Sequence, residues 1–250
     1  MPGVAAASPA QRSRPLYTAT SIVLQLRGGP AYLCLGGILD SLPPAGCGGV
    51  VLRGVDARTL PTAHVYANGT VDTGLLRVVG SWDGRELSPT RPIVKAAPVQ
   101  QKPYVPLRAA CTRPGGTAAP DSDGQERAMA AADAAPDASY LYVSGHHGRV
   151  MNAAFTGHLA RHRAALRKLY SGPICVVRGH RTARALTALS NRIGRDLKLL
   201  GRHGIVVFDW GPDLDQMSMD VAVADPTVRA YIHHRYGSFV EVHGALHQVS

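Results

Sequence analysis

Aromatic residues are scarce in this chain, 6% of its 250 positions, and its four cysteines include no Cys-x-x-Cys pair. The first shortage leaves little with which to stack nucleobases. The second excludes a zinc ribbon or a thioredoxin-type centre, whose ligands or redox partners need close spacing to converge. No apolar run approaches the roughly 20 residues that span a bilayer, so no transmembrane segment is expected. The opening MPGVAAASPAQRSRP has no continuous apolar stretch of the kind that directs export. A Gly-rich phosphate loop, a G-x-S-x-G elbow and an H-E-x-x-H helix are all missing. The sequence signals of the commonest nucleotide, serine-hydrolase and metalloprotease sites are therefore lacking, and no cofactor is expected.

Acidic residues are nearly missing from one stretch. Between Arg149 and Arg202 there are twelve Lys and Arg and one acid, Asp196, while the rest of the chain is close to neutral, so this stretch accounts for the formal net charge of +10. Clustered charge creates a local field that evenly spread charge does not. The expected partner is anionic: an acidic polymer, an anionic membrane surface or an acidic protein. Nucleic acid ranks behind these, because no helix-turn-helix or RNP pattern accompanies the charge. The competing origin of the arginines is the codon bias of a high-GC genome, visible in the Ala, Gly, Arg and Pro content.

What is present reads as an α+β chain in two parts. Residues 1–15, small and Pro-containing, predict a disordered tail. Residues 16–93 show short alternating apolar runs between turn signals, with Asn68-Gly69 and Asp83-Gly84 as hairpin dipeptides. They predict a small antiparallel β domain, barrel-like, of OB or SH3 type. Residues 94–138 are rich in Pro, Ala, Gly and Asp and read as a linker holding at most one short helix. Residues 139–250 predict a basic α+β domain, in which TGHLARHRAALRKLY is an amphipathic helix capped by Thr156 and GPICVV a buried strand. A longer helix follows over 182–200, ended by Gly201. The order from Thr182 is helix, strand, strand, helix, strand, compatible with a ferredoxin-like sandwich.

On the longer helix Leu186, Leu189, Ile193, Leu197 and Leu200 form one stripe. Arg184, Arg195, Lys198 and Arg202 fall opposite, within about a 60° arc at 100° per residue. Together with Arg161 and Lys168 on the first helix, they are the candidate partner-binding residues.

The cysteines are Cys34, Cys47, Cys111 and Cys175, and of their three possible pairings the favoured one joins Cys34 to Cys47 and Cys111 to Cys175. The alternative is free thiols buried as small hydrophobes in a cytoplasmic protein. A Cys-His hydrolase would use Cys175 with His146 or His147, since the imidazole must deprotonate the thiol. GPICVV, however, places Cys175 inside an apolar run, which suits a bridge or a core thiol. No catalytic residue is assigned, and the hydrolase stands as the alternative to a binding or structural protein. His146, His147, His233, His234 and Asp209 are conceivable metal ligands, but adjacent histidines point apart and no metal site is assigned. Asp209, Asp213, Asp215 and Asp220 crowd one predicted hairpin, where turn chemistry accounts for them.

Three blocks carry a resemblance. GGPAYLCLGGILDSLPPAGCGG with RVVGSWDGRELSPT, the string NAAFTGHLARHRAALRKLYSGPICV, and GIVVFDWGPD with RYGSFVEV resemble a recurrent pattern in small uncharacterised proteins of high-GC Gram-positive bacteria. The resemblance implies a two-part, non-enzymatic protein, often placed beyond the membrane behind an N-terminal signal or anchor. The opening residues do not match that part of the pattern, so an extracytoplasmic or envelope location rests on the resemblance and the even cysteine count, with the cytoplasm as the alternative.

Overall fold

The computed structural model describes residues 15–38, 41–97, 107–116, 121–145 and 150–249. The first part is strands with one short 3-10 helix at Ala57–Thr59: β1 (Leu16–Ser21), β2 (Val23–Gln25), β3 (Ala31–Ile38), β4 (Cys47–Leu52), β5 (His64–Val65), β6 (Val71–Asp72), β7 (Leu76–Trp82), β8 (Glu86–Pro89) and β9 (Val94–Lys95). Alternation of apolar side chains sends Val23, Leu33, Val50, Leu52, Leu76, Val78 and Leu87 into one core. β1 and β2 are one strand interrupted at Ile22, β1 pairing with β7 and β2 with β3. The pairs β7–β8, β8–β4 and β4–β3 then close the path on itself, and within this ring only β4 and β8 run parallel. Both hairpin dipeptides make the turns expected of them. Gly69 and Gly84 have φ of 85° and 98°, Asn68 Oδ1 accepts from the Thr70 N–H, and Asp83 Oδ1 accepts from the N–H groups of Arg85 and Glu86.

The second part is two copies of one unit. The first runs α1 (Ser122–Asp133), β10 (Ala138–Ser144), β11 (Val150–Phe155), α2 (Leu159–Leu169) and β12 (Ile174–Arg178); the second runs α3 (Ala183–Arg202), β13 (Val207–Asp213), β14 (Gln216–Val221), α4 (Pro226–Tyr236) and β15 (Val240–Gly244). Each αββαβ unit has its own three-stranded sheet, an antiparallel hairpin followed by a parallel third strand reached through a helix. The match extends to single bonds. Met151 opposes Ile174 as Met217 opposes Val240, and the N–H of Met151 bonds Pro173 O as that of Met217 bonds Phe239 O. Arg163 donates to Val176 O and Arg229 to Val242 O. The C-terminus of α1 closes with Ala134 N to Ala130 O and Ala135 N to Ala132 O, as α3 closes with His203 N to Leu199 O and Gly204 N to Gly201 O. The units differ in length chiefly in their first helix, 12 residues in α1 against 20 in α3, and less in the hairpin, whose connection is longer between β10 and β11.

Several expectations are corrected. The α+β class holds, but residues 139–250 form two three-stranded sheets where one ferredoxin-like sandwich was expected. The stretch read as a linker supplies α1, whose Gly124, Ala128 and Ala132 are buried against the first unit; small side chains that look like low complexity are here a packing face. Helix α2 is preceded by His158, not Thr156, which instead uses its hydroxyl on Asp137 O. Helix α3 continues past Gly201, and the left-handed turn falls to Gly204 at φ 72°. Residues 1–14 of the expected tail lie outside the described residues.

The second unit is joined to the strand ring. Ala222 and Leu246 are buried in the ring's core, with Val206, Phe208 and Val223 packed beside them. A Cβ on Gly36 would stand 3.0 Å from the Phe208 Cβ, so the missing side chain on β3 is what admits β13. After β15 the chain returns as β16 (His247–Gln248) and adds to the outer edge of β1.

Candidate functional site

Helix α3 begins where the Thr182 side chain accepts the N–H of Ala185, and it is held by its apolar stripe: Leu186, Ile193 and Leu200 are buried, with Leu189 and Leu197 beside them. That burial turns Arg184, Arg195, Lys198 and Arg202 outward, and all four are exposed. None of them makes an ion pair with a carboxylate among the described residues. From Arg184 to Arg202 the row extends about 27 Å at 1.5 Å per residue. Lys198 and Arg202 also lie at the negative end of the helix dipole, where cations are favoured.

The neighbouring basic groups are occupied. Arg235 Nε and an Nη hold Asp196 at 3.0 and 2.7 Å, and the Tyr236 hydroxyl donates to the same oxygen at 3.0 Å. The Arg235 hydrogen bonds keep the Asp196 carboxyl below the ordinary carboxylate range, against the opposing effect of burial. Arg192 lies over the Tyr236 ring and Arg181 over Phe239. The lone acid of the basic stretch is thereby consumed inside the second unit, tying α3 to α4, and does not neutralise the outward row.

Arg161 and Lys168 are exposed as expected, but on α2, which packs in the first unit's core. The structure does not bring them onto the α3 row. Beside Arg161 it reveals a pair that sequence reasoning missed: His162 Nε2 lies 2.9 and 3.0 Å from the two Asp137 oxygens, and its ring stacks on Phe155 at 3.8 Å. Burial pushes the Asp137 carboxyl up, but the His162 contacts outweigh it and the net shift is downward. Partners so far apart in sequence leave no spacing signal.

The cysteines pair as favoured, Cys34 with Cys47 and Cys111 with Cys175. Cys175 is buried and bridged, so the thiol required by the Cys-His alternative is consumed. His146 and His147 lie outside the described residues. The remaining conceivable metal ligands are not gathered: His233 Nε2 bonds Val240 O, Asp209 accepts its neighbour Trp210's N–H, and no metal-binding group of His, Cys, Asp or Glu forms among the described residues. In the acidic hairpin Asp215 accepts both the backbone N–H and Nδ1 of His180, at 3.2 and 2.5 Å. Burial raises the Asp215 carboxyl, and the His180 hydrogen bonds and charge outweigh it, for a net shift downward. No helix among the described residues is long and apolar enough to cross a membrane. The chain matches no protein-family model, no curated protein and no solved structure, so its functional reading rests on its own geometry.

Proposed function

We propose that this is a non-enzymatic binding protein that holds an extended polyanion along the outward row of α3, Arg184, Arg195, Lys198 and Arg202. The observation that carries the reading is the contrast between the two copies. Where α3 has Arg195 and Arg202, the matching positions of α1 are Glu126 and Asp133. Codon bias acts on both copies alike, so it does not account for charge of opposite sign on the same face of the same unit. The row is linear and carries no exposed large apolar side chain, which suits a polymer better than insertion into a lipid surface.

Nucleic acid remains the weaker alternative. The strand order of the N-terminal ring, with its third and fifth main strands parallel, supports reading it as an OB-like barrel rather than an SH3-like one. An OB barrel binds oligonucleotides on its second and third strands, here β3 and β4, and Phe208 of the chain's own second unit packs over Gly36 and Gly48 on these strands. Trp210, an aromatic close to the row, is committed to Gly194 and to Ser190 O. The two bridges favour an oxidising compartment, in keeping with the envelope location implied by the resemblance. The test is retention on an anionic matrix at moderate salt: Arg195→Glu/Lys198→Glu is expected to abolish it, and unchanged retention would overturn the proposal.

A further inference from the structure

Because the two αββαβ units share strand register and the hydrogen bonds described above, a position in one shows what the matching position in the other does under a different side chain. In the second unit the matching place, at the C-terminal end of α3, is filled, and the opening between α3 and α4 lies farther along, at Arg192, His234 and Arg235. Leu200 is fully buried, Ile205 is 5% exposed, Val228 packs in the same core, and the Tyr231 ring meets His203 at 4.8 Å between centroids. The corresponding residues of the first unit are Ala131, Pro136, His162 and Ala165. His162 is no smaller than Val228, but the smaller side chains at Ala131, Pro136 and Ala165 leave an open groove of about 590 Å³ between α1 and α2.

The polar changes fall on the same groove. Asp137 stands where the second unit has Val206, His158 where it has Ala224, and Arg161 where it has Thr227. Asp137 is already answered by His162 within the wall, and His162 is fixed in turn by its stack on Phe155. Arg161 and His158 stand exposed at the rim, with no carboxylate partner within ion-pair distance among the described residues. The groove thus combines an alanine-lined floor with a positively charged rim. A cation would meet Arg161 and find Asp137 taken, and a dianion would bring a second charge close to the Asp137 carboxylate.

We propose that this groove binds a small organic monocarboxylate, its aliphatic body against Ala135 and Ala165 and its carboxylate toward Arg161 and His158. The site is separate from the α3 row. The test is an NMR titration of the full chain with sodium butanoate, with butylammonium chloride as the counter-probe. Saturable shifts of the His162 ring and the Ala135 and Ala165 methyls are expected, with a Kd of about 1 mM for so small a ligand. Ala165→Tyr restores the side chain that the second unit carries at an exposed helical position, and it is expected to weaken butanoate at least about tenfold without lowering the melting temperature. Arg161→Gln is expected to weaken it similarly, while Arg195→Glu/Lys198→Glu leaves it unchanged. No saturable shift up to about fifty times that concentration, equal response to butylammonium, or undiminished binding by Ala165→Tyr would each overturn the proposal.

Discussion

Salt dependence gives the polyanion reading its sharpest numerical consequence. Each cation that neutralises a charge on a flexible polyanion releases about 0.7 of a counterion, so log K falls against log salt with that slope per contact. Four contacts, from Arg184, Arg195, Lys198 and Arg202, give a slope of about −3 and a loss of about fifty-fold in affinity between roughly 50 and 200 mM salt. Reversing Arg195 and Lys198 removes two contacts and adds two repulsions, so the slope should collapse toward zero. Both side chains are exposed and free of ion pairs, so Arg195→Glu should alter stability by no more than about 0.5 kcal/mol, and Lys198→Glu, which meets the negative end of the helix dipole, should cost about 1 kcal/mol. Isothermal titration with long-chain inorganic polyphosphate measures the slope directly, and single-stranded DNA run beside it shows whether bases add anything. Arg161→Glu/Lys168→Glu, on a helix of the other unit, should leave most of the slope intact. A wild-type slope shallower than −1, or a double reversal that binds like wild type, would refute the assignment of the row.

Chain-entropy arithmetic separates the two bridges: Cys111–Cys175, with a sequence separation of 64, should contribute about 4 kcal/mol and Cys34–Cys47, with a separation of 13, about 3 kcal/mol. Urea melts of Cys111→Ser/Cys175→Ser and Cys34→Ser/Cys47→Ser check both size and order, and the reverse ranking would contradict the loop-length account. Asp137, Asp196 and Asp215 all have lowered carboxyl values. Each therefore contributes stability that is fully present above about pH 4, the unfolded value, and is lost as pH falls through the lower folded value. Urea midpoints should be flat from about pH 7 to 5 and drop below about pH 4, with a shallower drop in Arg235→Met; a decline already under way at pH 6 would contradict this. Gly49→Ala would place its Cβ 2.2 Å from Leu33 O, whereas Gly37 has nothing within 4 Å. The first substitution should cost about 1–3 kcal/mol or more and the second less than about 1 kcal/mol, compared by thermal melting.

What was legible in the sequence followed from local chemistry. Asn68-Gly69 and Asp83-Gly84 announce hairpins because both supply positive φ, and the Leu186 to Leu200 stripe announces α3 because apolar spacing fixes which face is buried. The outward row follows from that same geometry. What was not legible depends on pairing across the chain. Helix α1 hides in an alanine-rich stretch because its contacts need only small side chains, and Gly124, Ala128 and Ala132 are no different in sequence from a flexible linker. The repeated unit hides because the two copies share geometry and little identity. Met151 and Met217, Arg163 and Arg229, and Tyr170 and Tyr236 survive in place, but the residues between them have diverged in size and charge. The groove of the first unit is a difference between two copies, so it becomes visible only once they are aligned by their hydrogen bonds.

That divergence has a direction. At the positions of Val206, Phe208, Ala222 and Val223, through which the second unit joins the strand ring, the first unit carries Asp137, Ser139, Thr156 and Gly157. An apolar set at those places buries itself against the ring, and a polar set gains nothing by doing so. One copy is thus a tethered body whose basic helix faces away from the ring. The other lacks that apolar set, and it carries Ala131 and Ala165 where the second unit packs larger side chains, with the His162–Asp137 pair beside the space.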